Sequence, residues 1–336
     1  MRSPLRSAVA SLTALAGAAA LLLTPALAAP PASAASRAAP VRADDGARLM
    51  EVIPVRDRVI DLLIDSPALG QRAYVRLLTP KGWSRTANRS WPVLYLLHGC
   101  CADYRSWDNI GELERMVGDT QVLVAMPEAG QVGFYSNWWN KGKGGTPGWE
   151  KFHLTEVRQI LERGFGAGRR RAVAGLSMGG FGALSYAARH PAMFRAAASY
   201  SGVIHTRYDE PAQRWLLGLV DRFAPDPLDL WGDPVKQASI WAAHNPYDLA
   251  RRLSGQSVYI SCGNGEPGPL DKPGAAFNKL EKDLGDQAVA FAARMRQLGH
   301  PHFTANLYGP GTHASGYWRR ELHASFPMLM RAVGAE

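Results

Sequence analysis

The chain has 336 residues, a formal net charge of +9 and three cysteines. So few cysteines exclude a disulfide framework, and the positive charge is dispersed rather than gathered into a nucleic-acid module. The length left after a leader suits one large α/β domain with ample core.

At the N-terminus, Arg2 and Arg6 form a basic region and Ala8 to Leu23 an uncharged apolar one. Ala26-Leu27-Ala28 and Ala32-Ser33-Ala34 both fit the small-x-small cleavage rule. The pattern predicts a secretory signal peptide over 1–28, with cleavage after 34 as the alternative. A membrane anchor fits less well, because the apolar run is short and ends at Pro25. The expected location is therefore secreted, either extracellular or in the cell envelope, where a basic protein can adhere to anionic polymers or lipid headgroups. Residues 29–45 are rich in Ala, Pro and Ser and predict a flexible leader. A single catalytic domain is expected over 46–336.

Within that domain, short apolar runs alternate with helix-length segments. Val59 to Ile64 and Ala73 to Leu78 predict a hairpin turning near Pro67 and Gly70. Val93 to Leu97 predicts a fully buried strand, Ile110 to Val117 a helix, and Val122 to Met126 a second buried strand stopped by Pro127. Trp149 to Arg163 has helical periodicity. Arg171 to Ala174, Ala196 to Tyr200 and Val258 to Ser261 predict further strands. Ala288 to Leu298 predicts a helix, Phe303 to Tyr308 the last strand and Pro327 to Val333 the closing helix. Strand–helix alternation with continuous apolar strands means a mostly parallel sheet with helices on both faces. Thr206 to Ala242 is too short for a large cap domain and predicts a small helical excursion.

The chemistry centres on Gly175-Leu176-Ser177-Met178-Gly179. This is a G-x-S-x-G element between an apolar run and a helix-like run, the strand–turn–helix context of a nucleophile elbow. With it, the architecture is an α/β-hydrolase fold. The tight turn lifts Ser177 Oγ clear of the sheet and leaves the Met178 N–H free for an oxyanion. A second N–H is expected from the loop His98-Gly99-Cys100-Cys101, from either Cys100 or Cys101. A serine nucleophile needs a base and a carboxylate that fixes the base's tautomer, in chain order Ser, acid, His. His313, on a Gly-rich loop just past the last strand, is the best-placed base. His300 and His302 precede that strand, and His323 falls in a helix. Candidate acids are Glu266, Asp271, Glu281, Asp283 and Asp286. Fold logic prefers Glu266 or Asp271, which follow their strand soonest, and Lys279 to Asp283 can be read as a solvated helix face. Adjacent Cys100 and Cys101 rarely bridge each other. One of them could pair with Cys262 in an oxidising compartment, and the alternative is a buried free thiol at Cys262. No metal-ligand spacing appears.

From about residue 55 to 330 the chain resembles the antigen 85 mycolyltransferases and the wider esterase D-like family. The resemblance is carried by Leu96-Leu97-His98-Gly99, Tyr104 with Trp107-Asp108, Met126-Pro127, Phe134-Tyr135-Ser136-Asn137-Trp138, the Ser177 elbow, Cys262-Gly263-Asn264-Gly265, and Gly311-Thr312-His313 with Tyr317-Trp318. It implies that Glu281, 32 residues before His313, is the acid, and that Cys100 and Met178 supply the oxyanion N–H groups. The family has Asp and Arg where this chain has His98 and Cys101, and Trp where it has Ser315. These departures weaken a trehalose site.

The expectation is a secreted serine esterase without cofactor or metal, working as a monomer through an acyl-enzyme on Ser177, with His313 and Glu281. Its substrate would be a small-molecule or lipid ester, such as a cell-envelope glycolipid, and no nucleic acid. The alternative is an acyltransferase passing the acyl group to a sugar or glycerol hydroxyl. A non-catalytic cell-wall-binding protein is the rival from another class. His98, Cys101, Trp138 and Ser315 are the candidate substrate contacts. The aromatic stretch Tyr135 to Trp139 can either line an acyl or sugar pocket or pack the core.

Overall fold

The computed structural model describes residues 41–110 and 112–335. The signal peptide and both cleavage sites lie outside the described residues. The leader gives way to folded chain earlier than expected. Ala43 is buried, the Asp44 amide donates to Gln159 Oε1 at 2.7 Å, and Val41 packs against the core.

Among the described residues, nine strands form one sheet: β1 (Arg48–Arg56), β2 (Val59–Ser66), β3 (Gln71–Leu78), β4 (Trp91–Leu97), β5 (Leu123–Pro127), β6 (Ala167–Leu176), β7 (Ala196–Tyr200), β8 (Ser257–Cys262) and β9 (Phe303–Leu307). Their spatial order is β1-β2-β3-β5-β4-β6-β7-β8-β9. The first three strands pair antiparallel, and β3 meets β5 antiparallel. From β5 to β9 every pairing is parallel. The helices are α1 (Ser106–Ile110), α2 (Leu113–Val117), α3 (Trp149–Lys151), α4 (Arg158–Gly164), α5 (Met178–Arg189), α6 (Glu210–Asp221), α7 (Ala238–His244), α8 (Pro246–Leu249), α9 (Lys279–Gln297) and α10 (Ser315–Val333). A π-helical segment, Phe152–Val157, joins α3 to α4. This is the α/β-hydrolase arrangement, with no separate cap domain among the described residues.

Burial explains the continuous apolar strands. All seven residues of β4 are buried. Val93, Tyr95 and Leu97 face one core, with α4, α5 and α9. Leu94 and Leu96 face the other, with α1, α2 and α10. A strand covered on both faces has no polar side to show, and each buried Val or Leu contributes roughly 1.5–3 kcal/mol.

The boundaries differ from expectation most clearly at four places. β1 is an added edge strand whose Pro54 disguised it, because proline is tolerated only at a sheet edge or bulge. The expected helix over 110–117 is split into α1 and α2. α9 starts at Lys279 rather than Ala288, capped by the Asn278 side chain, which accepts from the Glu281 amide at 2.8 Å. α10 starts at Ser315, and Pro327 lies inside it rather than at its start. The stretch between β7 and β8 holds α6, α7 and α8; α6 and the start of α7 fall within the small helical excursion expected over Thr206 to Ala242.

Candidate active site

The parallel strands end along one edge of the sheet, and the loops leaving them carry the candidate residues. Ser177 stands between β6 and α5 with φ 53° and ψ −120°. That is a left-handed backbone that serine rarely adopts. Two glycines make the turn possible. A Cβ on Gly175 would lie 2.2 Å from the Gly179 carbonyl oxygen, and one on Gly179 would lie 2.2 Å from the Leu97 carbonyl oxygen. The Ser177 amide donates to the Tyr200 carbonyl at 2.9 Å, tying the turn to β7. Met178 is the first residue of α5, so its N–H has no intrahelical acceptor. The positive end of the α5 dipole lies at the same point.

Beyond the neighbouring strands β8 and β9, a carboxylate on α9 and an imidazole on the loop before α10 meet. His313 Nδ1 lies 2.7 Å from Glu281 Oε2. The Glu281 side chain is fully buried and that of His313 is 13% exposed. A buried carboxylate is costly unless its oxygens are satisfied, and here they are. Glu281 Oε1 accepts from the Gly263 amide at 2.7 Å, Ser201 Oγ at 2.8 Å, Cys262 Sγ at 3.2 Å and the Tyr308 hydroxyl at 3.3 Å. Burial pushes the Glu281 carboxyl up, but the hydrogen bond and charge of His313, the Gly263 amide and the Ser201 hydroxyl outweigh it and hold it below its ordinary value. Its place in the first turn of α9 acts in the same direction. An ionised Glu281 makes Nδ1 the protonated nitrogen of a neutral His313, which leaves Nε2 as a lone-pair acceptor. No hydrogen bond joins His313 to Ser177 Oγ among the described residues.

The other candidate acids are engaged elsewhere. Asp283 and Asp286 pair with Lys279 and Lys282 on the outer face of α9. Glu266 is exposed. Asp271 accepts from Thr312 Oγ1 and the Tyr317 hydroxyl, so it braces the loop before His313 instead of touching its ring. The fold-logic preference for Glu266 or Asp271 is therefore corrected: the carboxylate that reaches His313 is in the first turn of α9, beyond the loop that carries Glu266 and Asp271.

The loop after β4 separates the two possible N–H donors. The Cys101 amide donates to the Gln131 carbonyl at 3.0 Å. The Cys100 amide has no partner among the described residues. A Cβ on Gly99 would sit 3.3 Å from Ser177 Cβ, so this loop lies directly against the elbow. The expectation that adjacent cysteines do not bridge is overturned: Cys100 and Cys101 are joined, and Cys262 is a buried free thiol. The sulfur of Cys262 is already occupied by Glu281, and burial beside that carboxylate pushes its titration well up.

Two candidate substrate contacts turn out to be structural. His98 is buried, with Nδ1 donating to the Gly99 carbonyl at 2.7 Å and Nε2 accepting from the Ala129 amide at 2.9 Å. Neither ring nitrogen is left for a ligand. Trp138 lies in the core and donates to the Gly133 carbonyl, so the core reading of that aromatic stretch holds. Cys101 and Ser315 are exposed. Ser315 lines a shallow depression of about 300 Å³ with Ala102, Asp103, Ser106, Asn109 and Ile110. A larger apolar cavity, about 510 Å³ between α6 and α9, is lined by Tyr208, Trp215, Leu280 and Leu284 but includes none of Ser177, Glu281 or His313.

Sequence reasoning missed Ser201 and the part played by Trp318. Ser201, at φ 47°, bridges Glu281 and the Trp318 indole, which donates to its Oγ at 3.2 Å. The Trp318 ring lies edge-on to His313 with centroids 4.9 Å apart. No sequence motif marks Ser201, but the Asn278-x-x-Glu281 capping pattern signals the true start of α9. Among the described residues, no three His, Cys, Asp or Glu side chains converge to hold a metal ion. No described helix is long and apolar enough to cross a membrane.

The Esterase family model matches residues 66–329. The chain belongs to the Esterase family. Among other members, it is 32% identical over 259 residues to the esterase Rv1288 of Mycobacterium tuberculosis, covering 73% of this chain and 53% of that protein. The chain thus spans about half the length of that relative. It is 31% identical over 288 residues to the diacylglycerol acyltransferase/mycolyltransferase Ag85A of Mycobacterium ulcerans, covering 82% and 81% of the two chains. The esterase fold is shared with the solved structure of M. tuberculosis MPT51 (FbpC1), at a TM-score of 0.68 and 22% identity over 84% of this chain and 99% of that one. An S-formylglutathione hydrolase from Agrobacterium tumefaciens has the same fold, at a TM-score of 0.66 and 14% identity over 85% of this chain and 99% of that one. The resemblance to antigen 85 and esterase D-like proteins therefore stands.

Proposed function

We propose that this chain is a secreted serine esterase that works through an acyl-enzyme on Ser177. The observation that carries the reading is the buried, fully satisfied Glu281 carboxylate 2.7 Å from His313 Nδ1. An ionised acid there leaves Nε2 free to act as a base. In the proposed cycle the Ser177 oxygen attacks the ester carbonyl while its proton passes to His313 Nε2. The carbonyl oxygen becomes an oxyanion between the Met178 and Cys100 amides. Glu281 stabilises the imidazolium. The C–O bond to the alcohol then breaks, and His313 returns the proton to the departing oxygen. Water enters, loses a proton to His313, and attacks the acyl-enzyme. Collapse releases the carboxylic acid and restores Ser177. The residues of this cycle need no cofactor.

Acyl transfer is the second reading, favoured by the acyltransferase named among the relatives. The rim argues for water as the main acceptor. Where the antigen 85 resemblance implies Asp, Arg and Trp, this chain has a buried His98, a bridged Cys101 and a lone exposed hydroxyl at Ser315. A guanidinium fork and an aromatic platform each contribute roughly 1–3 kcal/mol to sugar recognition. Arg105, Trp107 and Trp318 do not replace them. Arg105 is paired with Asp103, Trp107 is buried, and Trp318 is committed to Ser201 and His313. Secretion rests on the signal-peptide pattern before residue 35, and a mature N-terminus after Ala28 or Ala34 would test it.

The functional test offers purified protein a p-nitrophenyl ester with and without trehalose or diacylglycerol, and identifies the products by mass spectrometry. Free acid as the main product in every case supports the esterase. Acyl-trehalose or triacylglycerol as the main product would replace it with the transferase. A chain that neither hydrolyses esters nor reacts with a fluorophosphonate at Ser177 would be a non-catalytic binder.

A further inference from the structure

The loop after β4 is held by contacts along its length. Trp107 Nε1 donates to the Leu97 carbonyl at 2.9 Å, the Tyr135 hydroxyl to the His98 carbonyl at 2.8 Å, and the His98 ring to the Gly99 carbonyl at 2.7 Å. Beyond Gly99 the supports change. The Cys101 amide is fixed to Gln131, and Cys101 itself adopts φ 61°, a left-handed conformation unfavourable for any residue with a Cβ. The remaining restraint is covalent: the bond between the two sulfurs closes a small ring through the 100–101 peptide. Cys100 packs half-buried against the core, and Cys101 is exposed. The unpartnered Cys100 N–H is thus attached to a turn that is pinned on one side by the core and on the other by its neighbour's sulfur.

We propose that the Cys100–Cys101 disulfide is a positioning element for the oxyanion site, and that opening it slows the esterase reaction. This rests on the reading of Ser177 as the nucleophile. With the ring closed, Cys101 stays left-handed and the Cys100 amide keeps its direction relative to Ser177. With the ring open, Cys101 relaxes toward negative φ and that amide rotates. The oxyanion develops only after attack on the ester, so the loss falls on turnover and not on substrate binding. Opening requires a thiol reductant. Dithiothreitol supplies two electrons and two protons, the Sγ–Sγ bond breaks, two thiols form, and the dithiothreitol leaves as its cyclic disulfide.

The experiment measures hydrolysis of p-nitrophenyl butyrate by the full purified chain before and after dithiothreitol. The thiols of parallel aliquots are trapped with iodoacetamide and assigned by peptide mass. The expected result is a kcat lower by about tenfold or more on reduction, with KM within about twofold, and recovery on reoxidation. The Cys100→Ser/Cys101→Ser double variant should start with the low kcat and ignore dithiothreitol. Circular dichroism melting separates a positioning loss from unfolding: the reduced chain should stay folded at assay temperature. Three results would overturn the proposal. One is unchanged kcat, within about threefold, when both thiols are shown to be free. Another is loss of activity that coincides with unfolding. The third is a purified active chain in which Cys100 and Cys101 are already reduced. If the oxidised chain neither turns over the ester nor labels at Ser177 with a fluorophosphonate, the reading beneath the proposal fails with it.

Discussion

Glu281 is buried without exposure, yet it accepts from a ring nitrogen, an amide, two hydroxyls and a thiol. Every one of those partners favours its charged form. Replacing it by glutamine removes the charge that would stabilise an imidazolium and presents an amide donor to groups that are themselves donors. Glu281→Gln should therefore lower kcat by about 10³-fold or more, in line with the loss of a triad acid. Asp271→Asn, which only loosens the brace on Thr312, should cost about tenfold or less. Steady-state kinetics of the two purified variants makes the comparison, and an Asp271 effect larger than the Glu281 effect would place the acid elsewhere. The strand–turn–helix at Ser177 and Met178 and the place of His313 on the loop after β9 were legible in the sequence, because the glycine-flanked serine and the glycine-rich loop are local patterns. Ser201 and the bond between Cys100 and Cys101 were not. The first acts only once β7 and α9 are side by side, and the second runs against the usual geometry of neighbouring cysteines.

At the scale of elements, the elbow depends on close approach of three backbones. β6, the turn and α5 meet β4 so tightly that a methyl group on Gly179 would lie 2.2 Å from the Leu97 carbonyl oxygen and 2.6 Å from that of His98. Both obstacles are backbone and cannot swing aside. Gly179→Ala should destabilise the fold by about 3 kcal/mol or more, above the usual cost of overpacking. Urea unfolding followed by circular dichroism would measure it, and a midpoint equal to wild type would show that the turn is looser than the structure implies. The strands were readable because β4, β5 and β7 are buried throughout and had to be continuous apolar runs. The starts of α9 and α10 were not. Lys279–Asp283 and Lys282–Asp286 place real ion pairs on the outer face of α9, which made the turn containing Glu281 look wholly solvated. Pro327 has the appearance of a first helical residue and instead lies within α10.

Across the whole molecule, the buried histidines set the response to acid. His153 is fully enclosed, with Nε2 donating to the Glu128 carbonyl and Nδ1 accepting from the Tyr186 hydroxyl. Burial pushes it down from 6.5 to about 4. His244 and His205 are also pushed down to about 4 by burial. The unfolded chain takes up protons below pH 6.5 and the folded chain does not until about pH 4, so stability is lost as pH falls through that window. For His153 the full effect is on the order of 3 kcal/mol. Glu156 acts in the opposite sense: burial raises it to about 7, so the folded chain binds that proton more tightly as pH falls. One such group does not offset three histidines. Melting temperatures should fall steadily from pH 6.5 to 4, and His153→Asn should flatten that slope whatever its effect at neutral pH. A slope unchanged in the variant would remove His153 from the account. The mostly parallel sheet and the two-faced core followed from strand–helix alternation, whereas this histidine network arises only from tertiary packing.

The central claim is that Ser177 forms a covalent acyl intermediate with Glu281 and His313 supporting it. The most direct measurement quenches the protein in acid during turnover of p-nitrophenyl butyrate and reads its intact mass, then maps the adduct by peptide fragmentation. One added butyryl group on Ser177 is the predicted result, absent in Ser177→Ala and accumulating slowly in Glu281→Gln. An active wild-type enzyme with no adduct at Ser177, or with the acyl group on another residue, would contradict it.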